Sequence, residues 1–170
     1  MSKITCEILK LPSSICIHTH SYAQLVMSLE GQLYIETNTM EYSVNNNYLG
    51  FLPPNCRHAY KSDIINKFLI MNIPEYMIKD KDVKKVEGSC KFFIDERWKA
   101  IETLLINELK EGVSSKSLNY LFFYIYDLIY KDIEPKSIKY IKENFSEEIS
   151  IKSLADMEHY NVSYYTEWFR

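Results

Sequence analysis

Between about residues 3 and 73, apolar residues recur in short runs: Ile4–Leu9, Ile15–His20, Gln24–Leu29, Leu33–Glu36, Tyr48–Leu52 and Lys67–Ile73. Turn-forming clusters separate them, among them Pro12-Ser13-Ser14, Glu30-Gly31, Asn45-Asn46-Asn47 and Pro53-Pro54-Asn55. Short runs at even spacing, bounded by Gly, Pro and Asn, predict the strands of a sandwich or barrel. In the run Gln24–Leu29, Val26 holds one parity and Leu25, Met27 and Leu29 the other. Successive strand residues point to opposite faces, so this strand has to be covered on both sides.

From Asp95 the period lengthens. Trp98, Ile101, Leu104, Leu105 and Leu109 follow helical spacing, and Gly112 lies just past the expected end. Ser114-Ser115 can cap a second helix, in which Leu118, Leu121, Phe122, Ile125, Leu128 and Ile129 repeat at intervals of three and four. Phe123, Tyr124, Tyr126 and Tyr130 spread further apolar surface around that helix. A helix apolar on most sides needs cover on most sides. Leu118, Leu121, Phe122, Phe123 and Ile125 are therefore expected at the interface of a homodimer. The residues between the strands and these helices, 74–94, are polar and carry Lys79-Asp80-Lys81-Asp82 and Lys84-Lys85, which reads as a solvated connector.

A last helical segment opens at Glu134-Pro135, Pro being suited to a first helical position, with Ile138, Ile141 and Phe145 on one face. Ser150 and Asn161 are natural N-caps for two more short helices, separated by a turn at His159-Tyr160 and crossing at the small Ala155. That is the pattern of a helix-turn-helix.

Composition narrows the classes. At 170 residues and 46% hydrophobic, the chain can bury a core and is not disordered. Its net charge of −3 gives no global nucleic-acid footprint. No stretch is long and apolar enough to span a membrane, and the N-terminus lacks the apolar run of a signal peptide. Cys6, Cys16, Cys56 and Cys90 form no C-x-x-C pair, so a cytoplasmic protein with reduced thiols is expected.

Three of the four histidines carry the candidate chemistry. His18 and His20 form an H-x-H pair, Gln24 follows after three residues and Gly31 after six more. Behind the turn Pro53-Pro54-Asn55 comes His58. On one strand His18, His20 and Gln24 would share a face, and an imidazole from a facing strand could complete a set of cation ligands. The same residues could instead hydrogen-bond one another or a ligand without metal. Cys16, two residues before His18, would border the cluster.

This spacing resembles the two motifs of the cupin superfamily, β-barrels or double-sheet jelly rolls with a site in the mouth. Gln24 stands where cupins usually place Glu, and Asn55 where the second motif has Gly; Asn is the best substitute in a left-handed turn. The C-terminal segment resembles the first helix-turn-helix of AraC/XylS-family transcriptional regulators. The match lies in Ile138, Ile141, Asn144-Phe145, Ser153-Leu154-Ala155, the cap Asn161, Tyr164-Tyr165 and Phe169-Arg170; His159 replaces a turn Gly.

The resemblance implies a mainly β plus α fold: a cupin-type jelly-roll barrel (1–75), a connector (76–94), a helical dimerisation region (95–132) and a partial helix-turn-helix (134–170). It implies the sensing and dimerisation portion of a regulator, not an enzyme. One divalent metal (Zn, Ni, Fe or Mn) would be held by His18, His20, Gln24 and His58. An effector pocket would be lined by Tyr22, Val26 and Tyr34. Ser163, Thr166 and Glu167 would face DNA once the second helix-turn-helix of the family completes the unit. Residues 134–170 hold five basic and seven acidic residues, the wrong sign for strong phosphate contact. Lacking that second unit, residues after about Asn161 are expected to be poorly ordered or docked elsewhere. The alternatives are a small metal-dependent dioxygenase or isomerase, and a truncated dimerisation competitor of a full-length regulator.

Overall fold

A computed structural model describes residues 3–83, 86, 90–131, 135–146, 148–158 and 160–170. Lys84-Lys85, Glu134 and His159, each given a place in the sequence reading, lie outside the described residues. The chain divides into two compact units, Met1–Leu128 and Ile129–Arg170.

Among the described residues, the first unit contains nine strands: β1 (Thr5–Leu9), β2 (Cys16–His18), β3 (Tyr22–Glu30), β4 (Leu33–Thr37), β5 (Glu41–Val44), β6 (Tyr48–Leu52), β7 (His58–Ser62), β8 (Lys67–Pro74) and β9 (Cys90–Phe93). They form a five-stranded sheet in the order β1-β8-β3-β6-β9 and a four-stranded sheet in the order β2-β7-β4-β5. All the ladders are antiparallel.

This corrects the expected closed jelly-roll barrel. The fold is mixed α/β with two open sheets followed by C-terminal helices. The reason lies in the links. The tight turn after β3 does not make a hairpin, because β3 pairs with β6 and β8 while β4 pairs with β5 and β7. Gly31, at φ +76°, turns the chain from one sheet into the other. No ladder among the described residues joins the two sheets, so their edges stay open.

The sheets pack face to face over Val26, Leu33, Ile35, Tyr42, Val44, Leu52, Phe68 and Ile70. The other side of β3 and β8 is just as inaccessible at Leu25, Met27, Leu69 and Met71. This answers the two-sided apolar pattern of the third run. Beyond β8, the segment read as a connector carries the short helix α1 (Asp80–Val83) and strand β9, which pairs with β6. Helix α2 (Glu96–Glu108) is capped by Asp95, whose carboxylate accepts from the amides of Arg97 and Trp98. Trp98 is buried with Ile101 and Leu105, its ring 6.1 Å from that of Phe92 on β9. Helix α3 (Lys116–Lys131) starts where the Ser115 hydroxyl accepts from the Leu118 amide at 3.1 Å. The Tyr126 hydroxyl of α3 donates to the Asp82 carboxylate of α1.

In the second unit, α4 (Lys136–Glu143), α5 (Ile151–Met157) and α6 (Val162–Phe169) enclose Leu154, Ala155 and Tyr165. Ser150 caps α5 through the Ser153 amide and Asn161 caps α6 through the Tyr164 amide. Ala155 has no exposed surface, as a crossing point of two helices requires. The expectation that residues after Asn161 are poorly ordered or docked elsewhere is not met. Helix α6 forms and is held in its own unit by Tyr165, which is 2% exposed. Phe145, expected on the apolar face of α4, is instead 81% exposed.

Candidate functional site

The strand-rich unit brings His18, His20 and His58 together, with one ring nitrogen of each within 4.8 Å of the others. They do not come from one strand face. His18 ends β2 and lies directly opposite His58 at the start of β7, so the two rings meet edge-on at 4.3 Å. His20 lies in the link from β2 to β3, where its ring stacks on Tyr22 at 4.1 Å. Gln24 reaches in from β3 of the other sheet, its Oε1 3.0 Å from His20 Nε2.

Backbone carbonyls fix the tautomers. His58 Nδ1 lies 2.9 Å from the Cys56 carbonyl and His20 Nδ1 2.5 Å from that of Tyr22. A carbonyl only accepts, so both Nδ1 atoms carry hydrogen and a neutral ring turns a bare Nε2 inward. Metal-ligating histidines are oriented this way. The Cys16 sulfur lies 3.7 Å from His18 Nδ1, so this thiol does border the cluster.

A chain of amides fixes Gln24. Its Nε2 donates to Asn72 Oδ1 at 2.8 Å, and Asn72 Nδ2 points to Glu7 Oε1 and Thr5 Oγ1, each at 3.4 Å. A carboxylate offers only lone pairs, so Asn72 keeps its amino group toward Glu7 and its oxygen toward Gln24. Gln24 must then aim its own oxygen at His20. Gln24 Oε1 and His20 Nε2 thus face each other at 3.0 Å. A proton or a cation has to lie between them. Two ligand atoms ~2.1 Å from one cation and at right angles are themselves about 3 Å apart. The three imidazoles could hold a divalent cation, and Gln24 Oε1 lies beside one of them. A glutamate at position 24 would instead set its lone pairs against the Asn72 oxygen.

Burial pushes the His58 ring down to about 4; the Cys56 carbonyl opposes this, and the His18 and His20 rings add to it. His18 is lowered as well, by burial and then by His20. The Tyr60 phenol is pushed up to about 12 by burial and by Cys16. The His58 shift carries a stability signature for the metal-free protein. Above pH 6.5 both folded and unfolded chains hold a neutral ring. Below it the unfolded chain takes up a proton that the folded chain refuses until about pH 4. Stability is therefore expected to fall by about 2 kcal/mol between pH 7.5 and 5. The slope should flatten in His58→Gln, measured by urea unfolding.

The other candidate residues separate. Val26 lines a cavity of about 160 Å³ between the sheets, next to His18, Gln24, His58 and Tyr60. Tyr22 packs on His20 rather than in this cavity. Tyr34, half exposed, lines a different groove of about 380 Å³ with Ile15, Glu36, Glu41 and Lys61. Of the residues assigned to dimerisation, Leu118, Phe122 and Ile125 are buried within this chain, Leu121 is half-buried, and Phe123 is 61% exposed. On α6, Ser163 and Glu167 are exposed, while Thr166 is half-buried and donates to the Val162 carbonyl. Asn72 was missed by the sequence reading. Its signal was a lone amide in the otherwise apolar run Phe68–Ile73.

No family model matches the sequence. The chain is 31% identical over 170 residues to the HTH-type transcriptional regulator YobQ of Bacillus subtilis strain 168, spanning all of this chain and 69% of that protein. Among solved structures it is similar to the AraC-like transcriptional activator CuxR, with TM-score 0.59, 8% identity, and 95% of this chain and 68% of that one covered. It is also similar to the K231A variant of ToxT from Vibrio cholerae strain SCE256, with TM-score 0.50, 8% identity, and 99% and 75% covered. At such identities these structures speak to the fold alone. No helix among the described residues is long and apolar enough to cross a membrane.

Proposed function

We propose, because this chain belongs to the HTH-type transcriptional regulators and has an AraC-like fold, that its strand-rich unit senses a divalent cation or cation-bound effector. The observation that carries this is the approach of Gln24 Oε1 to His20 Nε2 at 3.0 Å, with ring nitrogens of His18, His20 and His58 within 4.8 Å of one another. His18, His20, His58 and Gln24 hold the cation, as Zn, Ni, Fe or Mn. Bound there, it supplies a positive charge that ties β2 and β7 of one sheet to β3 of the other. The signal is the difference in affinity between the two arrangements of the regulator, typically a few kcal/mol. Purified protein dialysed against zinc should take up about one ion per chain, read by elemental analysis. Uptake well below one ion would overturn the reading.

The helix-turn-helix of α5 and α6 would contact DNA through Ser163, Thr166 and Glu167 as part of a complete DNA-binding unit. Dimerisation falls to the face of α3 that this chain leaves open, with Tyr120, Phe123 and Tyr124 all more than half exposed. Phe123→Glu should convert a dimer to a folded monomer. Phe122→Glu, at a position 1% exposed, should unfold the protein. Sedimentation and circular dichroism separate the two outcomes. A Phe123→Glu protein that stays dimeric removes this face from the interface.

A further inference from the structure

The outer side of the four-stranded sheet carries a pattern that a solvated sheet face does not need. Successive strand residues alternate between faces. Leu33, Ile35, Tyr42 and Val44 point into the core, so the residues between them point out. The ladders set these outward residues in two rows across the strands. One row reads Ile17, Ala59, Glu36, Glu41. The other reads Lys61, Tyr34, Ser43, and Ile15, just before β2, continues it in the same groove as Lys61.

A sheet face turned to water ordinarily carries polar residues. Here Ile15, Ile17 and Tyr34 are 70%, 55% and 50% exposed. At the far end Glu36 and Glu41 lie directly opposite each other on β4 and β5. Like charges so placed weaken a strand pair. Among the described residues, neither carboxylate is ion-paired, and neither is Lys61. A purely basic partner would be repelled by Lys61, and a purely acidic one by the two carboxylates. The face calls for a partner with both signs and an apolar corner of its own.

A second copy of this chain has all three. A two-fold axis between the two rows, at right angles to the strands, lays each row over the other row of the second copy. Ile17 then meets Ile15 of the second copy. Glu36 meets its Tyr34, whose hydroxyl can donate to the carboxylate, one strand away from its Lys61. Symmetry repeats every contact, and the strands stay aligned as stacked sheets prefer. We propose that the outer face of the four-stranded sheet is a contact between two copies of this chain, separate from the face of α3. The two rows are far smaller than the roughly 20–30 residues a side of a standard interface. The contact therefore forms at high concentration and weakens with salt.

Sedimentation velocity on the full chain, from low to high micromolar at low salt, tests it. The unmodified chain should at least double the mass it has at low micromolar concentration, and high salt should reverse this. The doubling reads alike whether the chain starts as a monomer or as a dimer joined through α3. Lys61→Glu should abolish it, and so should Glu36→Lys combined with Glu41→Lys. One variant shows only carboxylates on this face and the other only ammonium groups, so each repels its own copy. An equal mixture of the two should regain the doubling. Ile17→Ser, which leaves the charges intact, should weaken it. Circular dichroism checks the fold of each variant, and if a charge variant unfolds, Ile17→Ser and the salt response decide. No doubling of the unmodified chain overturns the proposal, as does doubling that survives in each charge variant alone. Doubling lost in both variants and not regained in their mixture overturns it as well.

Discussion

Exchanging His58 for alanine is expected to weaken zinc binding by more than about a hundredfold while the protein stays folded. Removing a group that merely orients a metal ligand costs 10–100-fold in affinity, so losing a ligand costs more. His58 is the imidazole whose loss should matter most. It is 2% exposed, its Nδ1 is tied to the Cys56 carbonyl, and its ring lies within 5.1 Å of both other histidine rings. The space that alanine leaves opens beside the existing 160 Å³ cavity, which His58 lines. The stability lost in that way, about 1–2 kcal/mol, is partly offset by removal of a buried imidazole. Competition against a chromogenic chelator measures the affinity, and the thermal midpoint checks the fold. His18→Ala should behave alike, because its ring is the direct cross-strand partner of His58. Unchanged zinc affinity in both variants would return the histidines to the role of interior hydrogen-bonding residues.

How much of this was legible in the sequence depends on the range of the interaction concerned. Local chemistry read through. Asn161 and Ser150 cap the helices they were expected to cap, and Ser115 caps α3, because a cap joins residues two or three apart. Asn55 adopts φ 62°, the left-handed turn for which Asn is the best residue after Gly. The spacing of His18, His20, Gln24 and His58 marked the cluster, although β2 ends at His18 and the residues converge from two sheets.

Pairing did not read through. The same alternating runs suit a closed barrel and two open sheets, and only the partners of β3 and β4 decide between them. Strand β9 was hidden because Cys90–Phe93 sits in a charged stretch and gains its identity from pairing with β6. The apolar girth of α3 was real, but the sequence did not say which side its own chain would cover. Leu118, Phe122 and Ile125 went to the core and Phe123 to the surface. Asn72 acquires its meaning only from Glu7 and Gln24, which are distant in the sequence.

The largest effect on the fold is expected at Gly31. Replacing it with alanine should cost roughly 2–5 kcal/mol, combining left-handed backbone strain of about 1–2 kcal/mol with steric overlap of about 1–3 kcal/mol. Gly31 sits at φ +76°, and a Cβ there would lie 2.3 Å from the Ile65 carbonyl oxygen and 3.2 Å from the Asn66 Cα. The obstacle is backbone, and it is pinned. Asn66 accepts from the Leu11 amide at 2.8 Å and donates to the Leu11 carbonyl at 2.9 Å and to the Asp63 carbonyl at 2.8 Å. On the other side, the Ser28 hydroxyl donates to the Gly31 carbonyl at 2.6 Å. Neither side can give without breaking these bonds. The turn also joins β3, which carries Gln24 and Val26, to β4, which carries Leu33 and Ile35. A shift at Gly31 would therefore move two walls of the cavity between the sheets and Gln24 together. Gly112 is the control, because φ is +123° there but a Cβ would meet nothing within 4 Å. Gly112→Ala should show the backbone strain without the overlap. Urea unfolding gives both values. If Gly31→Ala proves no more costly than Gly112→Ala, the close approach to Ile65 does not hold the chain's passage between the sheets.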